Sequence, residues 1–295
     1  MSVTESRTAV EHYAARVDAV LAQRTRLRGM HPGGDLFGGL PVDHPILKSD
    51  PLRPLDPNLE VIASQIKSDD VVVDVGGGAG RVSLPLALRC REVINVEPSE
   101  SMGAGFISNA ERAGIDNVRI VTGDWLEVDS PEGTVALVNH VTYLTREIVP
   151  FIKKLEEACS RRVIITGNSP PPPFWNSELY RLLHGEEEEM VPGHVELVNV
   201  LWELGILPDI YVLPLPVASP VVTESTREAA VQGAIGRFLG DQWSFWPLAD
   251  EHHQCIREVL ESRFDELFTT CSRGFTPRWI TPGREILITW QPSIR

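Results

Sequence analysis

The chain has 295 residues, enough for one large domain or for one domain with an elaborated cap. Its composition, with 42% apolar and 23% charged residues, is ordinary for a globular protein, and no apolar run is long enough for a transmembrane helix, so we expect no membrane partner. The formal net charge of −14 predicts that nucleic acid is not a partner, because binding a polyanion needs a basic face.

The N-terminal sequence and the cysteines predict a cellular location. Residues 1–20 contain acids and no apolar core segment, so we expect no secretory leader. The four cysteines form no C-x-x-C pair, which argues against zinc-finger or thioredoxin-like chemistry and favours reduced thiols. These features predict a cytoplasmic protein.

Hydrophobic periodicity divides the chain into two parts. Residues 1–57 are predicted to form an amphipathic helix over 4–28, followed by a lid segment rich in Gly, Pro and Asp. Residues 58–295 are predicted to form an α/β domain in which strands and helices alternate. Strands are expected at 71–75, 92–97, 118–122, 134–139 and 162–167, and helices at 80–90, 100–113 and about 146–160.

The last third of the chain predicts two further strands that are separated by a long insertion. A strand is expected at 209–215 and a terminal strand at 285–290. Residues of about 216–278 carry two helical patterns, which indicates a helical cap inserted between these strands. Two more helices, at 176–184 and 194–204, are expected before the first of them.

The most informative motif begins at the first predicted strand, a β-branched run that ends in Asp74. Glycines follow at alternate positions, Gly76, Gly78 and Gly80, with Gly77 between them. Glycine allows a sharp bend and a close approach of backbone to a ligand. The dinucleotide fingerprint G-x-G-x-x-G fits imperfectly, because Arg81 stands where its last glycine belongs.

The pattern that fits is acid-x-G-x-G-x-G, from Asp74 to Gly80, and it resembles the first motif of the class I S-adenosylmethionine-dependent methyltransferases. The resemblance implies a Rossmann-like, doubly wound sheet of seven strands with a terminal antiparallel strand. It also implies S-adenosylmethionine as the cofactor, with the glycine turn against its methionine and ribose parts.

Three later strands end in residues to which the resemblance gives roles. Glu97, at the tip of the second strand, is positioned to accept both ribose hydroxyls, a device shared with NAD enzymes. In the family a residue near Met102 packs on the adenine, and an acid accepts from the adenine amino group, a role that Asp124 fits. Trp125 is a candidate cover for the ring face, with plain core packing as the alternative. The expected cofactor-binding residues are Asp74, Gly76, Gly77, Gly78, Gly80, Glu97, Pro98, Met102, Gly123, Asp124, Trp125, Asn139 and His140.

The fourth strand delivers Asn139 and His140 to the same edge of the sheet, where the family meets both cofactor and substrate. A base is needed only if the methyl acceptor is protonated. His140 is the first candidate base, since imidazole titrates near neutral pH, and Tyr143 is the second. The alternative for His140 is a neutral, hydrogen-bonded histidine with no role in proton transfer.

These patterns predict a methyltransferase for a small organic acceptor, with no metal requirement. Metal-dependent catechol-type enzymes use acids near the end of the fourth strand, whereas Asn139 and His140 stand there. The alternatives are an NAD(P)-dependent oxidoreductase and a non-catalytic protein that keeps the cofactor site. Aromatic residues of the cap are expected to line the acceptor pocket, namely Phe174, Trp175, Trp243, Phe245 and Trp246.

Overall fold

The computed structural model describes residues 7–28, 44, 47–171, 177–216, 223–240, 250–279 and 283–293. Within these ranges the strands are β1 Val71–Val75, β2 Glu92–Glu97, β3 Val118–Thr122, β4 Gly133–Asn139, β5 Cys159–Ser169, β6 Asp209–Pro216, β7 Phe268–Cys271, β8 Gly274–Pro277 and β9 Arg284–Trp290. The helices are α1 Ala9–Arg28, α2 Pro57–Ala63, α3 Ser83–Ala87, α4 Glu100–Ala113, α5 Ile148–Ala158, α6 Ser177–His184, α7 His194–Glu203, α8 Arg227–Gly240, α9 Asp250–Ser262 and α10 Phe264–Leu267.

Seven strands form one sheet in the order β3-β2-β1-β4-β5-β9-β6. Strands β1 to β5 pair in parallel, and β9 runs antiparallel between β5 and β6. The predicted Rossmann-like sheet with an antiparallel terminal strand is therefore confirmed. Parallel strands are buried on both faces, which is why β1 could be found as an unbroken β-branched run.

Alternate residues of the strands belong to two separate hydrophobic cores, one on each face of the sheet. On one face, Val73 and Val75 pack with α1, α5 and α7. On the other face, Val72 packs with α2, α3 and α4. The period of two along a strand explains this division, since neighbouring side chains point to opposite faces.

Two helices differ from the expectations. The helix predicted over 80–90 is confined to α3, because the glycine turn continues through Gly80, whose φ is +81°, before the chain can become helical. Helix α2 was not predicted. Its signal is local, since the Asp56 side chain accepts hydrogen bonds from the N–H groups of Asn58 and Leu59 and Pro57 stands in the first turn.

The predicted insertion lies between β6 and β9 and contains α8, α9, α10 and the hairpin β7–β8, which was not predicted. Its core includes Ala230, Ile256 and Phe264, and Leu179 and Tyr180 of α6 pack with them. The domain boundaries at residue 57 and at about 216–278 stay predictions.

Among the helices of the described ranges, none is both long and apolar enough to cross a bilayer. The cytoplasmic location stays a prediction.

Candidate functional site

The glycine turn after β1 depends on backbone angles that side chains rarely adopt. Gly76, Gly78 and Gly80 have φ angles of +70°, +55° and +81°. Gly77 is required for a different reason, since a Cβ atom there would lie 2.1 Å from Oδ2 of Asp74. The turn is tied to the neighbouring strand by a 2.8 Å hydrogen bond from the Gly76 N–H to the Val96 carbonyl. The four glycines thus leave bare backbone at the carboxyl edge of the sheet.

Asp74 lies beneath this turn and is 2% exposed. Its Oδ1 atom has no hydrogen-bond partner among the described residues. The pKa of Asp74 is raised to about 7, mainly by burial; the Ser83 hydroxyl opposes the rise, the negative charge of Glu97 adds to it, and the positive charge of Arg81 opposes it. A buried acceptor without a donor is costly, so this oxygen is suited to a donor from outside the described residues, such as a ligand.

Glu97 holds the turn from the tip of β2. Its Oε2 accepts a 2.9 Å hydrogen bond from the Gly78 N–H, and its Oε1 accepts one of 2.9 Å from the Ser99 N–H. The side chain of Asn95, one residue before Val96, donates to the Gly78 carbonyl at 2.9 Å. Both carboxylate oxygens of Glu97 therefore bind backbone N–H groups at the carboxyl edge of the sheet.

Helix α4 begins directly after β2. Ser99 caps it by accepting from the Met102 N–H at 3.4 Å, and Pro98 before it is exposed. Met102 is buried against the turn, since a Cβ atom on Gly78 would lie 3.1 Å from its Cε. The predicted adenine neighbour therefore adjoins the glycine turn.

Three predicted site residues follow β3, and they lie in different environments. Gly123, with φ of +143°, donates to the Glu97 carbonyl at 3.1 Å, and Asp124 is exposed beside it. Trp125 is 4% exposed, with its ring edge-on to Phe151 of α5 and Lys154 above its face. This is the core position that the sequence also allowed, so the structure gives no support to Trp125 as a cover for a ligand.

Asn139, at the end of β4, links the turn to the next strand. Its Oδ1 accepts from Nη2 of the exposed Arg81 at 3.1 Å, and its Nδ2 donates to Oγ1 of Thr166 at 2.5 Å. These bonds place the guanidinium group of Arg81 at the carboxyl edge of the sheet.

His140 has a positive φ of 59°, unusual for a residue other than glycine. Its Nδ1 lies 3.1 Å from the Tyr143 hydroxyl and its Nε2 lies 3.0 Å from Oε1 of Glu285. The Tyr143 hydroxyl accepts from the Asn168 N–H at 2.5 Å, and Oε2 of Glu285 accepts from Nδ2 of Asn58 at 3.1 Å. The predicted pair His140 and Tyr143 therefore lies in a hydrogen-bonded chain that reaches β9.

The charge states of Glu285 and Tyr143 indicate where the protons lie in this series of hydrogen bonds. Burial acts to raise the pKa of Glu285, but the hydrogen bonds from His140 and Asn58 and the positive charge of Arg81 lower that pKa below its usual value, so the group is a carboxylate. Burial raises the pKa of Tyr143, so its hydroxyl keeps its proton. His140 then carries hydrogen on Nε2 toward Glu285 and accepts from Tyr143 on Nδ1. Both ring nitrogens are engaged, as in the second interpretation of His140.

Sequence reasoning missed Glu285 and Asn58. Glu285 appeared only as the start of a terminal strand. A usable signal was present, because an antiparallel strand begins at the edge where its parallel neighbours end. Glu285 is paired with Asn168 of β5 in the sheet register. The aromatic residues expected in the acceptor pocket, Phe174, Trp175, Trp243, Phe245 and Trp246, lie outside the described residues.

Comparison with known proteins decides between the possible ligands of this edge. Residues 72–161 match the model of a family described as "Methyltransferase domain". This stretch of the chain is therefore similar to a methyltransferase domain. S-adenosylmethionine is the cofactor of that family.

Solved structures of low sequence identity share the fold of the methyltransferase domain. YcgJ from Bacillus subtilis superposes with a TM-score of 0.51 at 14% identity, covering 80% of this chain and 99% of its own. A candidate methyltransferase from Bacillus halodurans gives 0.50 at 13% identity, covering 80% and 97%. At these identities the likeness concerns the fold alone.

Curated relatives match shorter pieces. A probable dimethyladenosine transferase of Dictyostelium discoideum is 33% identical over 88 residues, which are 30% of this chain and 28% of the relative. A 23S rRNA (uracil(1939)-C(5))-methyltransferase of Aeromonas salmonicida is 46% identical over 56 residues, 19% of this chain and 13% of the relative. The chain thus spans less than a third of either relative.

The relatives correct one prediction. The net charge led us to exclude nucleic acid as a partner, and that exclusion is wrong, because relatives of the methyltransferase domain include enzymes named for ribosomal RNA. Net charge sums the whole surface, whereas a nucleic acid meets only a local face. The acidic composition therefore does not decide the acceptor.

The residues of the edge fit an adenosyl sulfonium. The glycines leave room for close approach, Asp74 presents a buried acceptor without a donor among the described residues, and the Glu97 carboxylate lies beside the turn. A cationic ligand with several hydroxyl and amino donors complements this acceptor-rich set. In the described part of the chain no group of three or more His, Cys, Asp or Glu side chains is placed to hold a metal ion. The absence of a metal requirement stays a prediction.

Proposed function

We propose that this protein transfers a methyl group from S-adenosylmethionine to a small organic acceptor at the carboxyl edge of the sheet. The observation that carries the proposal is the glycine turn with Asp74 beneath it and Glu97 beside it, in a domain of the methyltransferase family. Ligands of open α/β sheets bind outside the carboxyl ends of the strands, which is where these groups lie.

The proposed cofactor site uses the predicted residues with one exception. Glu97 would accept the ribose hydroxyls, Met102 would pack on the adenine, and Asp124 would accept from its amino group. Trp125 is left out, because its ring packs on Phe151. The remaining contacts would come from Asp74, Gly76, Gly77, Gly78, Gly80, Pro98, Gly123, Asn139 and His140.

When bound, the cofactor supplies a methyl group that is already activated on a sulfonium. The protein is then needed mainly to align the acceptor and to exclude water. An acceptor would be aligned at the carboxyl edge of the sheet, beside Arg81, Asn139 and the hydrogen-bonded groups around His140. We propose that His140 and Tyr143 act there by position. A base role for either stays a prediction and would require one of the observed hydrogen bonds to open first.

The small organic acceptor is the finer part of the proposal. Its support is the helical insertion between β6 and β9, after which β9 brings Glu285 to the edge. Ribosomal RNA is the second candidate, favoured by the names of two relatives.

The test has a binding arm and a transfer arm. Calorimetric titration should show saturable binding of S-adenosylhomocysteine and none of NAD. Methyl transfer from radiolabelled S-adenosylmethionine is then measured into a cell extract of small metabolites and, separately, into purified ribosomal RNA. Label in the metabolite fraction supports the proposal, and label in RNA alone replaces the acceptor. Binding without any transfer favours a non-catalytic protein, and no binding of S-adenosylhomocysteine overturns the cofactor assignment.

A further inference from the structure

The segment from Leu47 to Arg53, which we name the strap, lies against the exit of the glycine turn. We propose that Asn109 of α4 is a positioning residue that fixes the strap there, so that Leu47 and Met102 form one wall of the adenosine pocket. The proposal rests on the proposed function, because it takes the glycine turn as the cofactor site.

Asn109 joins the two segments directly. Its side chain is 1% exposed, and its Nδ2 donates at 2.9 Å to the Leu47 carbonyl and at 2.9 Å to the Ala79 carbonyl. Its Oδ1 accepts from Nη2 of Arg112 and, at 3.5 Å, from the Ser49 N–H. An amide has two donor hydrogens and two acceptor lone pairs, so its capacity is fully used between strap, turn and helix.

Apolar contacts follow the same path. Leu47, Ala79 and Met102 form a small buried cluster separate from the two main cores. Gly105 allows the close approach, since a Cβ atom there would lie 3.2 Å from Cβ of Ala79 and 3.4 Å from the Leu47 carbonyl oxygen. The strap therefore packs on the proposed adenine neighbour, Met102.

The strap is held at its other end as well. Nη2 of Arg53 donates to the Arg81 carbonyl at 2.7 Å, and its Nη1 donates to the Asp50 carbonyl at 3.0 Å. The turn exit, residues 79–81, is thus joined to the strap at both ends, through the Asn109 amide at one and directly by Arg53 at the other. Removal of the Asn109 amide would leave two carbonyls without a donor and free only the end of the strap that faces Met102.

The chain offers a matched control. Nδ2 of Asn117 also bridges carbonyls, those of Ala87 at 2.8 Å, Cys90 at 3.2 Å and Arg91 at 3.3 Å. Asn117 directly precedes β3 and so lies at the amino edge of the sheet, opposite the glycine turn. Asn117→Ala removes a comparable bridge without touching the proposed pocket.

The experiment measures dissociation constants for S-adenosylhomocysteine and 5′-methylthioadenosine, together with melting temperatures of the ligand-free proteins. Asn109→Ala should weaken both ligands by the same factor, about tenfold, because the lost wall faces the adenosine that they share. Asn117→Ala should lower the melting temperature but leave both constants within about twofold of the wild type. Leu47→Ala keeps the backbone carbonyl that Asn109 binds, and it should weaken both ligands by about threefold.

Unchanged constants in both Asn109→Ala and Leu47→Ala would overturn the inference and leave the proposed function intact. Equal weakening by Asn117→Ala would overturn it too, since the effect would then be general destabilisation. If Asn109→Ala does not fold, Leu47→Ala decides alone. Absence of binding by the wild type would overturn the proposed function, and this inference with it.

Discussion

Oε1 of Glu285 lies 3.0 Å from Nε2 of His140, although the two residues are 145 positions apart in sequence. The carboxylate of Glu285 fixes the hydrogen of the imidazole on Nε2. The other ring nitrogen, Nδ1, is then the acceptor in the bond with Tyr143. The contact joins the last strand of the sheet to the end of β4 and places a hydrogen-bonded carboxylate and imidazole at the proposed acceptor site.

Glu285→Gln should reverse or mix the His140 tautomers, because the new amide can donate to Nε2. Nitrogen-15 NMR of the imidazole should show hydrogen on Nε2 in the wild type and a loss of that preference in the variant. We expect methyl transfer to fall by about tenfold or more, while the dissociation constant for S-adenosylhomocysteine stays within about twofold.

Glu60→Gln is the control for this prediction. It removes one partner of the exposed ion pair between Arg89 and Glu60, which are joined at 3.0 Å, and should change neither measurement. An unaltered His140 spectrum in Glu285→Gln would contradict the assigned tautomer.

Asp74 should make the stability of the protein depend on pH. Its pKa is about 7 in the folded state against 3.8 for the ordinary value, so between these limits the folded state binds more protons than the unfolded state. The contribution of Asp74 to the free energy of unfolding therefore falls as pH rises from about 4 to about 7, by roughly 1.4 kcal/mol per pH unit.

Urea unfolding at several pH values in this window should show that Asp74→Asn removes this fall. Asp18→Asn is the control, since the hydrogen bond to Arg146 lowers the pKa of the exposed Asp18 and gives the opposite sign. An identical pH profile for the wild type and Asp74→Asn would contradict the raised pKa.

Gly77→Ala should disrupt the turn, since the added Cβ would lie 2.1 Å from Oδ2 of Asp74. We expect S-adenosylhomocysteine to bind about tenfold more weakly or not at all by calorimetry. Gly236→Ala in α8 meets nothing within 4 Å and should raise stability by about 0.5–1 kcal/mol with unchanged binding. Normal affinity in Gly77→Ala would show that the turn does not contact the cofactor.

Trp125→Leu should separate packing from ligand contact. Loss of the contact with Phe151 should lower the free energy of unfolding by about 2–4 kcal/mol in urea denaturation. The affinity for S-adenosylhomocysteine should stay within about twofold, whereas Met102→Ala should weaken it. A large loss of affinity in Trp125→Leu would restore this residue to the cofactor site.

Chelation tests the absence of a metal requirement. Methyl transfer after dialysis against EDTA should equal that of the untreated protein, because Asn139 and His140 stand where metal-dependent relatives of the catechol type carry acids. Addition of Mg²⁺ or Zn²⁺ should give no gain. Activity lost on chelation and restored by one of these ions would reverse the prediction.

The sheet was predictable because its signals are local. β1, β2 and β3 have the predicted bounds, and each is a short apolar or β-branched run that ends at a polar residue or a turn. The turn was predictable for the same reason, since positive φ angles at Gly76, Gly78 and Gly80 require glycine whatever surrounds them. Helix α3 was overestimated, because apolar periodicity does not show where a turn stops and a helix starts.

The sequence alone determined the positions of the seven sheet strands along the chain, the glycine turn and the acids at the strand tips, because each depends on residues close together in the chain. Tertiary structure decided the rest. The packing of α5 took Trp125 into the core, and the antiparallel register of β9 set Glu285 against His140. Such contacts depend on how distant elements pack, and no pattern within one element records that geometry.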